Sequence, residues 1–190
     1  MSDLSRQERE KLLRVARSAI AAALGAADQM EKPDSPTPAL LRPQGCFVTL
    51  QKGGALRGCI GMLEARSSLL EAVEESAKNA AFHDPRFSPL TKEELEQVDI
   101  EISRLTVPED LHFETPDDLL EKLKPGEHGV ILGIGYRRAT FLPQVWEQVP
   151  DKRLFLEHLC RKAGMGRNCW KEKGLSVQVY RVEHFSEKDL

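Results

Sequence analysis

The chain has 190 residues and a nearly balanced charge, with 27 lysines and arginines against 30 aspartates and glutamates and a formal net charge of −3. Hydrophobic residues make up 41% and charged residues 30%, which is ordinary for a globular protein. A chain of this length buries roughly 70% of its unfolded surface, in one domain or in two subdomains that share a core. The charge balance lacks the positive excess of a general nucleic-acid binder, so we do not expect a nucleic-acid partner.

The cysteine pattern indicates a cytoplasmic protein. It contains no C-x-x-C pair and matches no common zinc spacing, so we predict no metal site. The N-terminus shows no apolar signal-peptide core, and no apolar stretch approaches the ~18 residues of a membrane span. Because cytoplasmic thiols stay reduced, we expect no membrane contact, no disulfide and four free thiols, at Cys46, Cys59, Cys160 and Cys169.

The first half of the chain predicts helices around a β-hairpin. Capping boxes and a glycine pair between two extended runs carry the prediction. The elements are a helix from Ser5 and Glu8 to Gly25, a proline-rich loop from Pro33 to Pro43, strands over Cys46 to Leu50 and Ala55 to Ile60 joined by Gly53-Gly54, a helix starting at Ser68 and Glu71, and a short helix capped by Thr91 and Glu94.

The second half predicts further strands and helices. The elements are an alternating strand from Val98 to Ile102, a helix from Pro116 to about Leu123, a hairpin over Val130 to Ile134 and Ala139 to Leu142, a helix from about Lys152 to Ala163 whose Leu154, Phe155 and Leu159 pack with Trp170 in the core, and a last strand at Val177 and Val179. Hairpins and alternation favour a largely antiparallel sheet with packed helices, an α+β fold.

The segment around Arg57 and Cys59 is the first candidate site. Gly58 and Gly61 bracket the cysteine and let a ligand or another backbone approach closely. A nearby arginine favours the thiolate, so Cys59 is a candidate nucleophile or part of an anion-holding turn. The alternative is a small buried cysteine in a strand that packs under a helix. Arg57, a charged group among apolar neighbours, needs a carboxylate or a ligand as its partner.

The second candidate is the rigid loop that carries His83, Asp84 and Arg86. A histidine beside a carboxylate can act as a general base with its orienting group, which makes His83 a candidate catalytic residue. Adjacent residues of an extended chain point in opposite directions, however. The alternative is that Asp84 caps the loop or pairs with Arg57 or Arg86.

A third candidate is Gln144, which follows Pro143 at a predicted strand exit. Its amide offers both a donor and an acceptor to a ligand or to the backbone. His128 is a second candidate base for Cys59. We treat Arg57, Gly58, Gly61, Asp84, Arg86, His128 and Gln144 as candidate binding residues.

Several motifs resemble the AMMECR family in order and spacing, over about residues 10 to 187. They are Leu56-Arg57-Gly58-Cys59-Ile60-Gly61, Asp84-Pro85-Arg86-Phe87, Pro125-Gly126-Glu127-His128-Gly129, Leu142-Pro143-Gln144-Val145-Trp146 and Lys162-Ala163-Gly164. The resemblance implies one AMMECR-type domain over residues 1–190, an α+β fold with a larger and a smaller subdomain, and a cleft between them. Bacterial and archaeal members are called AmmeMemoRadiSam system protein A, which implies association with a Memo-type protein and a radical SAM enzyme.

Two hypotheses of different classes follow. The first is an accessory or ligand-binding component that acts with those two partners and presents its candidate residues around a cleft to a small molecule. The alternative is a stand-alone enzyme that uses Cys59 as nucleophile with His83 or His128 as base. No cofactor is predicted for either.

Overall fold

The computed structural model describes residues 4–26 and 35–189, and these residues form two compact units. Unit 1 holds the described residues up to Thr106 and from Glu183 onward, and unit 2 is Val107–Val182. Each unit combines an antiparallel sheet with helices, so the predicted α+β class is confirmed. The first three residues and Pro33, which entered the sequence predictions, lie outside the described residues.

The strands divide between two sheets. In chain order they are β1 Cys46–Lys52, β2 Ala55–Met62, β3 Val98–Leu105, β4 Glu109–Asp110, β5 Gly129–Ile134, β6 Arg137–Phe141, β7 Ser176–Tyr180 and β8 Val182–Ser186. The sheet of unit 1 has the order β2-β1-β3-β8, and that of unit 2 has the order β4-β7-β5-β6. Strand β2 is therefore an edge strand of the first sheet.

The predicted capping boxes start three of the helices. In chain order the helices are α1 Arg6–Ala23, α2 Pro38–Leu41, α3 Leu69–Phe82, α4 Lys92–Leu95, α5 Pro116–Lys122, α6 Val145–Gln148 and α7 Lys152–Lys162. Capping boxes start α1 at Ser5, α3 at Ser68 and α4 at Thr91. In each box the N-cap hydroxyl accepts a backbone N–H, and a glutamate three residues on accepts the N-cap N–H.

The core of unit 1 lies where α1 and α3 pack on one face of its sheet. Alternate residues of β1 and β3, such as Val48, Leu50, Ile100 and Ile102, are fully buried there. Antiparallel pairing of β1 with both β2 and β3 fixes which side chains share a face. Thr49 and Cys59 are paired residues, so their side chains lie on the opposite face from this core.

Four details correct the sequence predictions. Cys160 and Cys169 form a disulfide, because the turn after α7 brings Cys169 back to 5.8 Å from Cys160 between Cα atoms. Leu154 is 44% exposed and does not join the core, whereas Phe155, Leu159 and Trp170 are buried. The proline-rich loop contains α2, which starts with proline at its first position. The strand around Val177 is followed by β8, which returns to unit 1.

Across the described residues, no helix combines the length and the apolar composition needed to cross a membrane.

Candidate functional site

Cys59 lies on the edge strand β2 with its thiol half-buried on the face away from the helices. Its cross-strand partner is Thr49, whose Oγ1 donates a hydrogen bond to the Cys59 Sγ at 3.3 Å. Cys46 is fully buried, and burial raises the pKa of its thiol to about 11. Of the two free cysteines in the described chain, Cys46 is buried and Cys59 is half-buried.

The glycines beside Cys59 are required by close packing against the protein's own backbone. A Cβ atom at Gly58 would lie 2.2 Å from the carbonyl oxygen of Ala80 in α3. A Cβ atom at Gly61 would lie 2.2 Å from the carbonyl oxygen of Cys46. These distances are far below van der Waals contact, so the two glycines let β2 lie tightly against α3 and β1.

Asp84 and Arg86 together bind the outer edge of β2 at Cys59. The Asp84 Oδ2 accepts the Cys59 backbone N–H at 2.8 Å, and the Arg86 Nη2 donates to the Cys59 carbonyl oxygen at 3.2 Å. Arg86 also donates to both carboxylate oxygens of Asp84, from Nε at 2.9 Å and from Nη2 at 2.6 Å. We call this arrangement the Asp84–Arg86 clamp. It satisfies the N–H and C=O that an edge strand otherwise leaves unpaired.

The clamp is a charged pair with one buried and one exposed member. The Asp84 side chain is 1% exposed, whereas that of Arg86 is 53% exposed. Hydrogen bonds from Arg86, and then from the Cys59 N–H, hold the pKa of Asp84 well below its usual range. Asp84 in turn raises the pKa of Arg86 by accepting its hydrogen bonds. Asp84 is therefore an ionised acceptor, and Arg86 is a fixed cation beside the thiol.

Arg57 has a carboxylate partner, as its apolar surroundings require, and the partner is Glu94. Arg57 donates from Nη2 at 2.8 Å and from Nε at 3.2 Å to the two Glu94 oxygens, and its side chain is only 11% exposed. Its Nη1 is buried without an acceptor among the described residues. Arg57 and Arg86 both approach the ring of Phe87, at 5.9 and 5.6 Å from the centroid. Phe87 thus links the two arginines.

Glu94 belongs to the capping box of α4 and also binds Arg57 and Lys52. It accepts the Thr91 backbone N–H at 3.3 Å and an ammonium hydrogen of Lys52 at 3.0 Å, besides binding Arg57. The hydrogen bond from Arg57, followed by that from Lys52, lowers the pKa of Glu94 to about 2. The sequence predicted the cap but not its second partner, since 37 residues separate Glu94 from Arg57.

His83 lies next to the clamp in sequence but is not part of it. It is the exposed residue that ends α3, and its backbone N–H donates to the Asn79 carbonyl at 2.8 Å. Within unit 1, no hydrogen bond joins the imidazole of His83 or of His184 to Cys59 in the described residues. His184 instead contacts the Ser103 hydroxyl through Nδ1 at 2.8 Å.

His128 and Gln144 belong to unit 2. The His128 Nδ1 accepts the Lys124 backbone N–H at 3.3 Å, and burial lowers the pKa of the imidazole, so His128 is neutral at pH 7. Its carbonyl accepts the Trp146 indole N–H at 2.7 Å. Gln144 precedes α6 with an exposed side chain that forms no cap hydrogen bond. His128 therefore stabilises the fold locally, whereas the Gln144 amide is available at the surface.

The residues brought together in unit 1 can bind an anion next to a thiol. The Nη1 of Arg86 makes no hydrogen bond within the described residues, so one edge of a fixed guanidinium remains open. The Cys59 sulfur and the Thr49 hydroxyl lie on the same strand pair. Among these residues, sequence reasoning missed Thr49 and Glu94. The alternation of β1 would have placed Thr49 on the face of Cys59, but only with the register known.

No group of three or more histidine, cysteine, aspartate or glutamate side chains in the described residues has the arrangement to hold a metal ion.

The fold and these motifs define the AMMECR1 family, whose family model matches residues 13–185, and the chain belongs to that family. A protein of Methanothermobacter thermautotrophicus is 39% identical over 97% of this chain and 96% of its own length. A protein of Methanopyrus kandleri is also 39% identical, over 98% of this chain and 91% of its own. The crystal structure of an uncharacterised protein from Pyrococcus horikoshii is similar, with a TM-score of 0.76, 34% identity and coverage of 97% of this chain and 94% of that one.

Proposed function

We propose that the chain is a ligand-binding accessory component of a pathway that also uses a Memo-type protein and a radical SAM enzyme. The binding surface that we propose is the outer edge of β2, formed by Cys59, Thr49, Arg86 and Phe87. The proposed association with the two proteins rests on the family to which the chain belongs. The geometry supports the choice of surface.

The observation that carries the proposal is the Asp84–Arg86 clamp. An arginine that is half exposed usually samples many rotamers, but Arg86 is fixed by four hydrogen bonds through Nε, Nη2 and its backbone N–H. Fixing a side chain before a ligand arrives removes part of the entropy cost of binding. A preorganised guanidinium beside a surface thiol fits a small anionic ligand, such as a carboxylate, or an acidic side chain of a partner.

A second candidate function is an enzyme with Cys59 as nucleophile. The half-buried thiol and the adjacent Arg86 cation favour it, since a cation stabilises the thiolate. The general base is the weaker part of this proposal, because in the described residues neither histidine of unit 1 forms a hydrogen bond with the thiol. The accessory role is therefore the better supported of the two.

The test is co-purification of the chain with the Memo-type protein and the radical SAM enzyme of the same genome. It is run with the untreated chain, with the chain treated with N-ethylmaleimide, and with the Cys59→Ser variant treated in the same way. The reagent adds bulk at Cys59 in the treated chain only, because the folded protein buries Cys46 and joins Cys160 to Cys169. We expect the untreated chain and the treated variant to retain a partner, and the treated chain to lose it.

Recovery of neither partner would overturn the association. Recovery that is equal in all three samples would leave the association standing but would remove the β2 edge as its surface. To test the enzymatic alternative, the rate of reaction of Cys59 with N-ethylmaleimide is measured against pH for the chain and for His83→Gln. A pH profile that the His83 variant leaves unchanged argues against His83 as the base.

We also propose that the chain acts in the cytoplasm, where a radical SAM partner would meet it. Trapping thiols with an alkylating reagent during cell lysis, with and without a reductant, would show which cysteines are free there. A cytoplasmic location predicts that Cys160 and Cys169, which are joined in the structure, are reduced in intact cells, so that four thiols are trapped without a reductant. Trapping of only two thiols would argue against this location.

A further inference from the structure

Unit 2 contains a pocket that the β2 edge does not involve. It has a volume of about 560 Å³ and is lined by two chain segments, residues 110–116 and 170–177. The first segment begins in β4 and the second ends in β7, and these two strands are paired. A pocket of roughly 300–1,000 Å³ is the size that small-molecule sites usually have.

The apolar part of the lining suits a planar ring. It consists of Leu111, Phe113, Pro116, Trp170, Leu175 and Val177. Two of these side chains are aromatic, and aromatic walls favour a flat aromatic ligand through offset or edge-to-face packing. A purely apolar ligand would leave the remaining lining groups, which are charged or polar, without partners.

Trp170, which lines the pocket, also carries a polar group without a partner among the described residues. The Trp170 side chain is 3% exposed, and its Nε1 is buried with no acceptor in the part of the chain that the structure describes. The other tryptophan, Trp146, donates its N–H to the His128 carbonyl at 2.7 Å. Buried indole N–H groups usually have a partner. Because the Nε1 atom has almost no accessible surface, a ligand oxygen would supply one for Trp170 only after a small movement of the indole towards the pocket.

The charged lining groups carry both signs. Lys171, Glu172 and Lys173 follow Trp170 directly, and Glu114 lies on the other segment. All four are exposed, and none forms an ion pair among the described residues. Lys171 places its Nζ 4.7 Å from the centroid of the Trp170 ring, so an ammonium group is already accommodated on this aromatic face.

We propose that this pocket binds a small aromatic zwitterion, a molecule with one planar ring, one carboxylate and one ammonium group. The ring packs among the apolar side chains. The carboxylate accepts from the Trp170 N–H and pairs with Lys171, and the ammonium pairs with Glu114 or Glu172. An aromatic α-amino acid has this combination of groups.

The experiment compares three probes with the same phenyl ring. L-phenylalanine carries both charges, 3-phenylpropionate carries the carboxylate alone, and phenethylamine carries the ammonium alone. Binding to the full chain is followed by the indole N–H signals in ¹⁵N-NMR spectra. The chain has two tryptophans and so gives two such signals, which the Trp170→Phe variant assigns. The Trp146 signal is an internal control because its N–H already has an acceptor.

We expect L-phenylalanine to shift the Trp170 signal saturably while the Trp146 signal stays in place. Each single-charge probe should bind at least about threefold more weakly, as the loss of one exposed ion pair predicts. Lys171→Gln should weaken L-phenylalanine binding by about threefold. The matched control is Lys162→Gln, since Lys162 lies 5.0 Å from the Phe141 centroid in the same unit but does not line the pocket. It should leave the affinity unchanged.

Three results would overturn the proposal. The first is a Trp170 signal that no probe moves at millimolar concentration. The second is equal affinity for the three probes, which would mean that the pocket selects the ring and not the zwitterion. The third is an equal effect of the Lys171 and Lys162 substitutions.

Discussion

The carboxylate of Asp84 accepts the backbone N–H of Cys59 at 2.8 Å, across 25 residues of sequence. This bond joins the loop after α3 to the edge strand β2. It fixes the position of the thiol by its main chain, so the Cys59 side chain remains available. The same carboxylate holds Arg86, and loss of the charge on Asp84 should therefore disturb both groups.

Asp84→Asn should lower the free energy of unfolding by about 2 kcal/mol, because a buried charge-assisted pair becomes a neutral contact that leaves donors unsatisfied. Urea denaturation of the variant and the parent chain measures the difference. Asp117→Asn is the control, since its carboxylate is 86% exposed and lies 4.0 Å from Arg153. Equal stability of the two variants would show that the clamp contributes nothing to the fold.

The pH dependence of stability should include a contribution from Glu94. Its pKa is lowered from 4.5 to about 2 in the folded chain, so the stabilisation is complete above about pH 4.5 and is lost as the pH falls towards 2. Urea denaturation across this range measures it. Glu94→Gln should remove about 1 kcal/mol at pH 7 and flatten the profile below pH 4.5. Glu96→Gln, a change at an exposed carboxylate two residues away, should leave the profile as it is.

Cysteine labelling should proceed in steps. N-ethylmaleimide should add to the folded chain once, at Cys59, because the Cys46 sulfur is buried. Unfolding without a reductant should allow a second addition, and unfolding with a reductant should allow four, since Cys160 and Cys169 are joined. Intact-protein mass spectrometry counts the adducts. Four additions to unfolded but unreduced protein would rule out the disulfide.

Gly58→Ala should destabilise unit 1 by about 3 kcal/mol, because the new methyl group would overlap the Ala80 carbonyl and force α3 away from β2. Thermal and urea denaturation measure the loss. Gly166→Ala is the matched control: a Cβ atom there meets nothing within 4 Å, and its φ is not positive. Equal stability of Gly58→Ala and this control would show that β2 and α3 do not approach each other so closely.

The sequence predicted local elements well because their signals are local. The capping boxes at Ser5, Ser68 and Thr91 each need only four residues, and the hairpin needs only the glycine pair and its flanks. The Arg57–Glu94 and Cys59–Asp84 contacts depend instead on which loop meets the edge of the sheet. The spacing of these residues in the sequence does not specify which loop contacts the edge of the sheet.

The disulfide was missed for a related reason. Cysteine spacing was interpreted through the expected compartment, whereas the pairing follows from the turn that starts at Gly164, whose positive φ of 70° reverses the chain after α7. The sequence did not predict strand β8, because the regular alternation of apolar and polar residues ends with β7. Glu183 of β8 lies 2.9 Å from Arg104, a buried residue of β3.

The return of the chain through β8 has a consequence for any shortened form of the protein. A stop codon after Arg181 would spare nearly all of unit 2 and yet delete the fourth strand of unit 1. Arg104 and Arg9 would then both lose the carboxylate of Glu183 that they share. A nonsense mutation close to the C-terminus would therefore destabilise mainly unit 1, most of which is synthesised first.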